Sequence, residues 1–556
     1  MQTAIRILSP LVLLVLLALT FRARLHNAAE VRHADGSIHF IEGDCYSRMT
    51  RAKMVGEGRW LIRHHDFENW PQGTTPHTTA PMDWLIVGLE RVMRFASPRE
   101  QSLDLAGAIV SPLLGVLTAA WLWAWAGLLR LPYRALMVLF FALSPILVHG
   151  TLLGRPDHQS LLILLLAVAV CSELALGDLG TPARLAKRWA VTAGCAWGLA
   201  LWVSLYEPAV FFAGAVGRHV IFNRTALFAR AVRGRWIALA AILLIALLLD
   251  GWRLSLPDRT LKTFFTAWSS AIGELKHLDF KVGVWHWFGV LWLTAAPSLW
   301  FAGRMDRRAR GLLLLVAVML ALTTWQVRWG YFLALAIAVS LPWQLGVLRR
   351  PALGWALGPL AMLPFAWAWS AILLPGDEIR ERRAINSAMQ DELRNLSALI
   401  KGPFLAPWWL SPQIAYWSGQ PGIAGTSHQS LAGIVDSARF YLGEDPAEAA
   451  RILREHGVRY VVLHDIPVAD TSPAQYPAVN NAAIILGVDV NPKALGTSLA
   501  NHPKITPPFL RLVSLEDRGL VLKLQRRKEG GALEKTTVEF YETQMLQLYE
   551  VLPEKL

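Results

Sequence analysis

This chain of 556 residues has little charge and almost no cysteine. Charged residues make up 17% of the sequence and hydrophobic residues 54%, which excludes a soluble globular protein over most of the length. The three cysteines are Cys45, Cys171 and Cys195, and the last two fall inside apolar runs. They therefore imply neither a disulfide framework nor a thiolate metal site.

The sequence is rich in apolar runs long enough to cross a bilayer, which takes about 17–25 residues. We count about eleven such runs and expect a polytopic α-helical membrane domain over residues 1–374. The first run could instead be a cleaved signal peptide, but no small-residue cleavage site follows it closely. The runs lie at 5–21, 103–128, 135–153, 160–178, 189–206, 207–223, 236–252, 284–304, 311–325, 329–347 and 353–374.

Basic residues mark alternate loops, at 130–134, 184–188, 218–235, 304–310 and 349–350. Cytoplasmic loops of membrane proteins hold such an excess, so we expect these loops to face the cytoplasm. The intervening loops, including a long first external loop at 23–102, then face the opposite side, as does everything beyond residue 375. The formal net charge of +13 is mostly this topological bias, and nucleic acid is not an expected partner.

Composition changes after residue 374, and we expect a soluble, extracytoplasmic α/β domain at 375–556, which is a normal domain size. Residues 378–399 are charged with helical spacing, and residues 447–455 predict a helix that ends at Gly457. Residues 458–463 predict a buried strand. Residues 519–524 predict a second strand, followed by a turn or loop at 528–531.

Three acidic residues, Asp44, Asp157 and Glu274, lie in three of the outward-facing loops. Because the predicted topology puts them on one face of the membrane, they could converge on one site rich in carboxylate oxygens. Such a site suits a hard divalent cation, Mg²⁺ or Mn²⁺. Alternatively, each acid is simply solvated in its own loop. Acids at the edge of a membrane are more often functional than surface acids, which favours the shared site.

Four short motifs follow one another along the chain. They are Gly43-Asp44, Gly154-Arg155-Pro156-Asp157-His158-Gln159, Ser270-Ala271-Ile272-Gly273-Glu274 and Pro407-Trp408-Trp409. In this order, and at these positions relative to the apolar runs, they resemble the catalytic subunit of oligosaccharyltransferase, a C-type integral-membrane glycosyltransferase (GT-C), in its bacterial or archaeal single-subunit form. The resemblance covers most of the chain and implies a GT-C membrane domain followed by a soluble domain.

The resemblance also assigns roles to residues of the loops. It implies that Asp44, Asp157 and Glu274 are catalytic, that they hold the divalent metal, and that they engage the acceptor amide so that its nitrogen can attack the sugar. Gln159 stands where the family has an acid or a histidine, so it could offer the metal a neutral oxygen. His158, at the start of a helix, is expected to point its side chain elsewhere.

Three further residues carry substrate roles by the same resemblance. Arg328 would clamp the diphosphate of the donor with its planar fork of donors, unless it is an arginine that snorkels to the membrane surface. Trp408 and Trp409 would bind the acceptor, or would pack the soluble domain against the membrane part. Leu410 replaces the aspartate of the family's W-W-D motif, which accepts a hydrogen bond from the Asn-x-Ser/Thr sequon. Leucine cannot accept one, so we expect poor use of such sequons.

We therefore expect an enzyme of the cell (inner) membrane that transfers a glycan from a polyprenyl-diphosphate carrier to an extracytoplasmic acceptor, in the first place a protein. Its active site and C-terminal domain would face the periplasm or the cell exterior. The alternative is a C-type transferase that takes one sugar from a polyprenyl monophosphate and modifies a lipid or a polysaccharide. A transporter or non-catalytic scaffold fits less well, because the soluble tail is large and the first loop is long.

Overall fold

A computed structural model describes residues 2–33, 35–76, 79–95, 97–176, 183–222, 227, 229, 232–251, 259–464, 477–502, 504–514, 520–527, 533–540 and 546–556. Part of the basic loop at 218–235, the predicted turn at 528–531, and His77 and Thr78 of the first loop lie outside these residues. The described chain is mostly helical and divides into two compact units.

The helices are, in chain order, α1 (Gln2–Arg24), α2 (Ala28–Val31), α3 (Gly43–Gly56), α4 (Ala80–Met93), α5 (Arg99–Leu128), α6 (Arg134–Leu143), α7 (Pro145–His149), α8 (His158–Leu176), α9 (Ala183–Val203), α10 (Tyr206–Phe222), α11 (Arg233–Asp250), α12 (Lys262–Ala271), α13 (Gly283–Phe288), α14 (Leu291–Ala302), α15 (Arg307–Trp325), α16 (Gly330–Gly346), α17 (Pro351–Ala361), α18 (Leu363–Leu373), α19 (Asp377–Ser397), α20 (Ser411–Ser418), α21 (Leu431–Leu442), α22 (Pro446–Glu455), α23 (Pro477–Leu486) and α24 (Leu495–Asn501).

The first unit comprises Met1–Arg63, Pro76–Ser255 and Ile272–Glu381. Helix α16 lies at its centre, where every residue from Gly330 to Leu345 is buried. A helix that is apolar on nearly all sides is either enclosed by other helices or faces lipid, and the burial of α16 shows that it is enclosed. It packs against α6, α8, α14 and α15, and a short 3₁₀ turn, Val327–Trp329, leads into it.

Five helical segments in the described part of the chain are long and apolar enough to cross a membrane, judged by length and composition: Gln101–Leu128, His158–Leu176, Arg307–Trp325, Val327–Gly346 and Pro351–Leu373. They agree with a location in a membrane, and the total of about eleven spans stays a prediction. The predicted run at 135–153 is divided into α6 and α7 because Pro145 follows Ser144, whose backbone is forced out of the helical region.

The second unit comprises His64–Thr75, Leu256–Ala271 and Arg382–Leu556. Its strands are β1 (Phe404–Leu405), β2 (Tyr460–Leu463), β3 (Leu510–Ser514), β4 (Leu520–Arg527), β5 (Leu533–Phe540) and β6 (Gln547–Val551). Four of them form a sheet of the order β1-β2-β6-β3, in which β1 and β2 are parallel and the other pairs antiparallel. Strands β4 and β5 form a separate antiparallel pair. The strands predicted near 458–463 and 519–524 are confirmed as β2 and β4.

Local sequence explains where the elements of this unit begin and end. Asp445 caps α22 by accepting a hydrogen bond from the backbone nitrogen of Ala447 at 2.9 Å, and Pro446 fits the first helical position. The helix ends at Glu455, two residues before Gly457, whose φ of +59° is a conformation that favours glycine. The helices predicted at 447–455 and 378–399 are thus confirmed as α22 and α19.

A segment of the first loop is part of the second unit. The backbone nitrogen of Gly422 donates to the Phe67 carbonyl, and that of Trp70 donates to the Gly422 carbonyl, both at 3.1 Å. The Trp70 carbonyl also lies 2.7 Å from His456 Nδ1. Residues 64–75 are therefore tied into a fold whose other residues come from much later in the chain.

Candidate active site

Two loops of the first unit are joined by their backbones. The nitrogen of Ile41 donates to the Gly154 carbonyl at 3.1 Å. Gly154 has a φ of +74°, and a Cβ at this position would lie 2.7 Å from Cγ2 of Val31, so only glycine fits. This contact places Glu42 and Asp44, at the N-terminal end of α3, beside the loop that carries Asp157.

Arg155 is the centre of the site. Its side chain is fully buried, and Nη2 lies 3.0 Å from Oε1 of Glu42 and 3.0 Å from Oε1 of Glu274. The two carboxylate oxygens are therefore at most twice that distance apart. The same nitrogen donates to Oε1 of Gln159 at 3.3 Å, and Gln159 Nε2 donates to both oxygens of Glu274, at 3.4 and 3.3 Å. One guanidinium thus brings together residues of three loops.

Asp157 is buried immediately before α8. Its Oδ1 accepts hydrogen bonds from the backbone nitrogen of His158 at 2.7 Å and from Nδ1 of the same residue at 2.5 Å. The expectation that His158 points elsewhere is wrong, because the imidazole turns back onto the preceding carboxylate. Burial acts to raise the pKa of Asp157, but the charge and hydrogen bond of His158 and the charge of Arg155 outweigh it and hold that pKa well below its usual range.

The pKa of Glu42 is shifted in the opposite direction. Burial raises its pKa to about 8, and the neighbouring charges of Glu274, Asp44 and Asp157 add to the effect against the opposing charge of Arg155. The charges of three other acids therefore act on Glu42, and together with burial they favour its protonated form. Asp44 itself is exposed in the first turn of α3.

The loop of Glu274 is joined to the turn that carries Arg328. The Val327 nitrogen donates to the Lys276 carbonyl at 2.9 Å, and His277 Nδ1 lies 3.3 Å from the Thr324 carbonyl. The side chain of Glu274, in the 3₁₀ turn Gly273–Leu275, is about one-third exposed. The third acidic motif and the proposed donor-binding arginine thus share one end of the helical unit.

Arg328 is anchored within the protein. Its Nη2 forms an ion pair with the buried carboxylate of Glu207, and its Cζ lies 5.5 Å from the ring centre of Tyr206. Its Nε is buried without a hydrogen-bond partner among the described residues. The guanidinium therefore retains donor capacity beyond its pairing with Glu207.

The tryptophan motif lies in the second unit. Trp408 donates through Nε1 to Oδ1 of Asn481 at 2.8 Å, and its ring meets that of Trp409 edge to face, with 5.7 Å between ring centres. Leu410 is only 1% exposed and packs in the core with Phe404 and Ile414. At this position the chain has a core leucine.

Several residues of the site were not foreseen from the sequence. Glu42 stands two positions before Asp44, the same spacing as Asp157 and Gln159, and this repeated pattern was an available signal. Arg155 lies within the motif at residues 154–159, but its role depends on contacts between distant loops. Its Nη1 also lies 2.6 Å from Nδ1 of His149, which is 2.9 Å from the hydroxyl of Tyr331, and no sequence pattern links those two residues.

No protein-family model and no curated protein matches the sequence. Solved structures, however, match in fold. One is the oligosaccharyltransferase of Archaeoglobus fulgidus in complex with Zn and sulfate, at 15% identity over 81% of this chain and 67% of that chain, with a TM-score of 0.56. Another is the oligosaccharyltransferase AglB from the same archaeon in complex with an inhibitory peptide and a dolichol-phosphate, at 14% identity, 95% and 74% coverage and a TM-score of 0.57.

A third match is ArnT from Cupriavidus metallidurans in the apo state, at 13% identity over 83% of this chain and 93% of that chain, with a TM-score of 0.54. The chain has the GT-C fold. The resemblance drawn from its motifs is thus confirmed at the level of the fold. At such low identity, the likeness leaves substrates and chemistry to be argued from the residues of this chain.

The donor set of the site suits a divalent metal. Glu42, Asp44, Asp157 and Glu274 supply carboxyl oxygens, which are the ligands that a hard cation prefers. As a set, the ligand atoms of Asp44, Asp157 and Glu274 do not all lie within 4.8 Å of one another. Arg155 contacts Glu274 and is the cation at the centre of the group.

Proposed function

We propose that this chain is a membrane glycosyltransferase that transfers a glycan from a polyprenyl-diphosphate carrier to an acceptor outside the cytoplasm, in the first place a protein. The observation that carries this proposal is the convergence of Glu42, Glu274 and Gln159 on Arg155, beside an ionised Asp157, within a GT-C fold. About eleven spans, with the acids and the second unit on the periplasmic side of the inner membrane, complete the proposal.

The metal would be held by Asp44, Asp157 and Glu274, with Gln159 as a neutral oxygen ligand. When bound, Mn²⁺ or Mg²⁺ would neutralise negative charge on the departing diphosphate. The bond between the anomeric carbon and the diphosphate oxygen breaks, a bond from that carbon to the acceptor forms, and the acceptor gives up its proton to water. The diphosphate leaves with the electron pair.

The residues of the chain prepare this step. His158 holds the carboxylate of Asp157 in one orientation and keeps it ionised. Carboxylates accept hydrogen bonds from the acceptor, which orients the attacking atom toward the sugar. Arg328, anchored by Glu207, directs its remaining donors to the diphosphate.

The test is transfer by the purified full-length chain, supplied with Mn²⁺ and a lipid-linked glycan. We expect Asp157→Asn and Glu274→Gln to reduce the rate by about 100-fold or more, as loss of one electrostatic contact to a transition state does. Glu57→Gln is the matched control, because Glu57 is an exposed acid at the other end of α3. Equal rates in all three variants would remove the acids from the mechanism.

The donor is tested with matched carriers. A diphosphate-specific enzyme should use a polyprenyl diphosphate sugar and lose activity in excess chelator, and Arg328→Lys should impair it because lysine lacks the bidentate fork. Full turnover of a polyprenyl monophosphate sugar in chelator would instead support the alternative function, in which one sugar is added to a lipid or a polysaccharide.

The identity of the acceptor separates the proposed function from the alternative function. The core position of Leu410 leaves no carboxylate there to accept a hydrogen bond from a sequon hydroxyl. We expect peptides with Asn-x-Thr to be glycosylated no better than matched peptides with Asn-x-Ala. Threonine-dependent transfer would show that another group makes this contact, whereas transfer to a lipid or polysaccharide only would support the alternative.

A further inference from the structure

The second unit contains an open groove of about 380 Å³, within the size range of small-molecule sites. Aromatic and amide side chains dominate its walls, and the seven lining residues carry no charge. They are Ala271, Trp408, Trp409, Pro477, Asn480, Asn481 and Ile484. A groove of this kind does not suit a phosphate, a carboxylate or an ammonium group, because none of these would find a counter-charge in it.

The two indoles are held in fixed orientations. The Trp408 ring packs edge to face against Trp268 on one side and Trp409 on the other, with ring centres 5.7 Å apart in both pairs. Its Nε1 hydrogen bond to Asn481 fixes the remaining rotation. Two rigid apolar faces meeting at 86° form a corner into which a flat, apolar surface can pack.

The amides supply polar recognition beside this corner. Oδ1 of Asn481 accepts from Trp408, so its amide nitrogen is directed to other partners, while Asn480 is exposed and offers both donors and an acceptor. A sugar ring has the matching chemistry, because one face presents C–H groups and the rim presents hydroxyls that both donate and accept.

We propose that this groove binds a short neutral oligosaccharide, with a sugar face packed on Trp409 and hydroxyls hydrogen-bonded to Asn480 and Asn481. The proposal deepens the proposed function and rests on it only for the origin of the ligand, which is either the glycan carried by the donor or a glycan of the acceptor. A peptide is the competing occupant. The groove favours sugar because Leu410, the position expected to recognise a peptide hydroxyl, is buried in the core.

The experiment measures binding, without transfer, to the full-length chain in lipid nanodiscs. Detergents with sugar headgroups are avoided because they would compete for the groove. A panel of neutral tetrasaccharides and a peptide library serve as probes, read by saturation-transfer NMR. We expect saturable binding of at least one tetrasaccharide, weakened about tenfold or more in Trp409→Ala and in Asn480→Ala. Trp60→Ala, at an exposed tryptophan of the first unit, is the control and should bind normally.

Asn480→Ala keeps the test decisive if Trp409→Ala does not fold, because Asn480 is exposed and its truncation leaves no cavity. The proposal would be overturned by any of three results. No sugar binds, or the wild type and Asn480→Ala bind sugar equally, or peptides bind in preference to sugars. A lipid-linked glycan then separates the sources, since Asn480→Ala should weaken its binding only if the groove holds the donor's glycan. Because the experiment measures binding and not turnover, its result can be interpreted even if the chain does not catalyse the proposed transfer.

Discussion

The role of Arg155 leads to a prediction that can be worked out from the contacts. Arg155→Met removes the only guanidinium that touches Glu42 and Glu274 among the described contacts, and it leaves both carboxylates next to each other. The arginine side chain is fully buried, and methionine keeps most of its volume. The substitution therefore reports on charge rather than on packing.

The expected loss of stability in Arg155→Met follows from the burial of the ion pair. Breaking a buried ion pair by removing one partner costs about 3–5 kcal/mol. The carboxylates here are 35% and 32% exposed, so water partly compensates them, and we expect the lower end, about 3 kcal/mol. The raised pKa of Glu42, about 8, means that this residue is mostly protonated at pH 7. Glu42→Gln should therefore cost under about 1 kcal/mol at that pH.

The assay is unfolding in mixed micelles with increasing SDS, followed by tryptophan fluorescence. Arg380→Met is the matched control, since Arg380 forms an exposed pair with Asp377 in the same unit and should contribute under about 1 kcal/mol. Adding Glu274→Gln to Arg155→Met should restore part of the loss, because it removes the uncompensated charge. If Arg155→Met and Arg380→Met unfold at the same SDS fraction, the central role of Arg155 is refuted.

Substitutions at three other positions probe separate contacts. Gln159→Glu puts a second carboxylate against Glu274, so it should lower the thermal midpoint without metal and increase the stabilisation given by Mn²⁺, as measured by paired melts. The pKa of His456 is raised, chiefly by its hydrogen bond to Asp436, so its contribution is complete below an unfolded pKa of about 6.5 and is lost as pH rises through the higher folded value. His456→Gln should flatten this loss of stability above pH 6.5, whereas an unchanged pH profile would exclude the contact. Leu410→Asp should destabilise the second unit by about 3–5 kcal/mol and expose it to proteolysis. Leu410→Met should cost under about 1.5 kcal/mol. Equal resistance of the two variants to proteolysis would contradict the core position of Leu410.

Much of the helical architecture could be predicted because apolar runs report local burial directly. The strands β2 and β4 were also accessible, since their patterns are confined to a few residues. The division of the first loop between the two units could not be predicted. Residues 64–75 join the second unit through hydrogen bonds of Phe67 and Trp70 to Gly422, roughly 350 positions away, and no local pattern encodes such a pairing.

The same distinction applies to the site. Acidic residues in loops are visible in a sequence, and the predicted topology puts Asp157 and Glu274 on one face of the membrane. The pairing of Glu274 with Arg155 could not be predicted, because it depends on which rotamers the packed loops allow. The burial of Leu410 was likewise hidden, since a leucine beside two tryptophans reads equally well as groove lining or core.

The contacts of Gln159 give a physical reason for its departure from the family pattern. It accepts a hydrogen bond from Arg155 through Oε1 and donates to Glu274 through Nε2, a pair of roles that an ionised carboxylate could not fill. A charged acid at this position would also stand directly against Glu274. Glu42, two residues before Asp44, brings a further carboxyl group to the same neighbourhood from the first loop, and its raised pKa keeps it mostly protonated at pH 7. Sequence motifs compared one at a time therefore miss a carboxyl group that lies 3.0 Å from Arg155 and belongs to none of them.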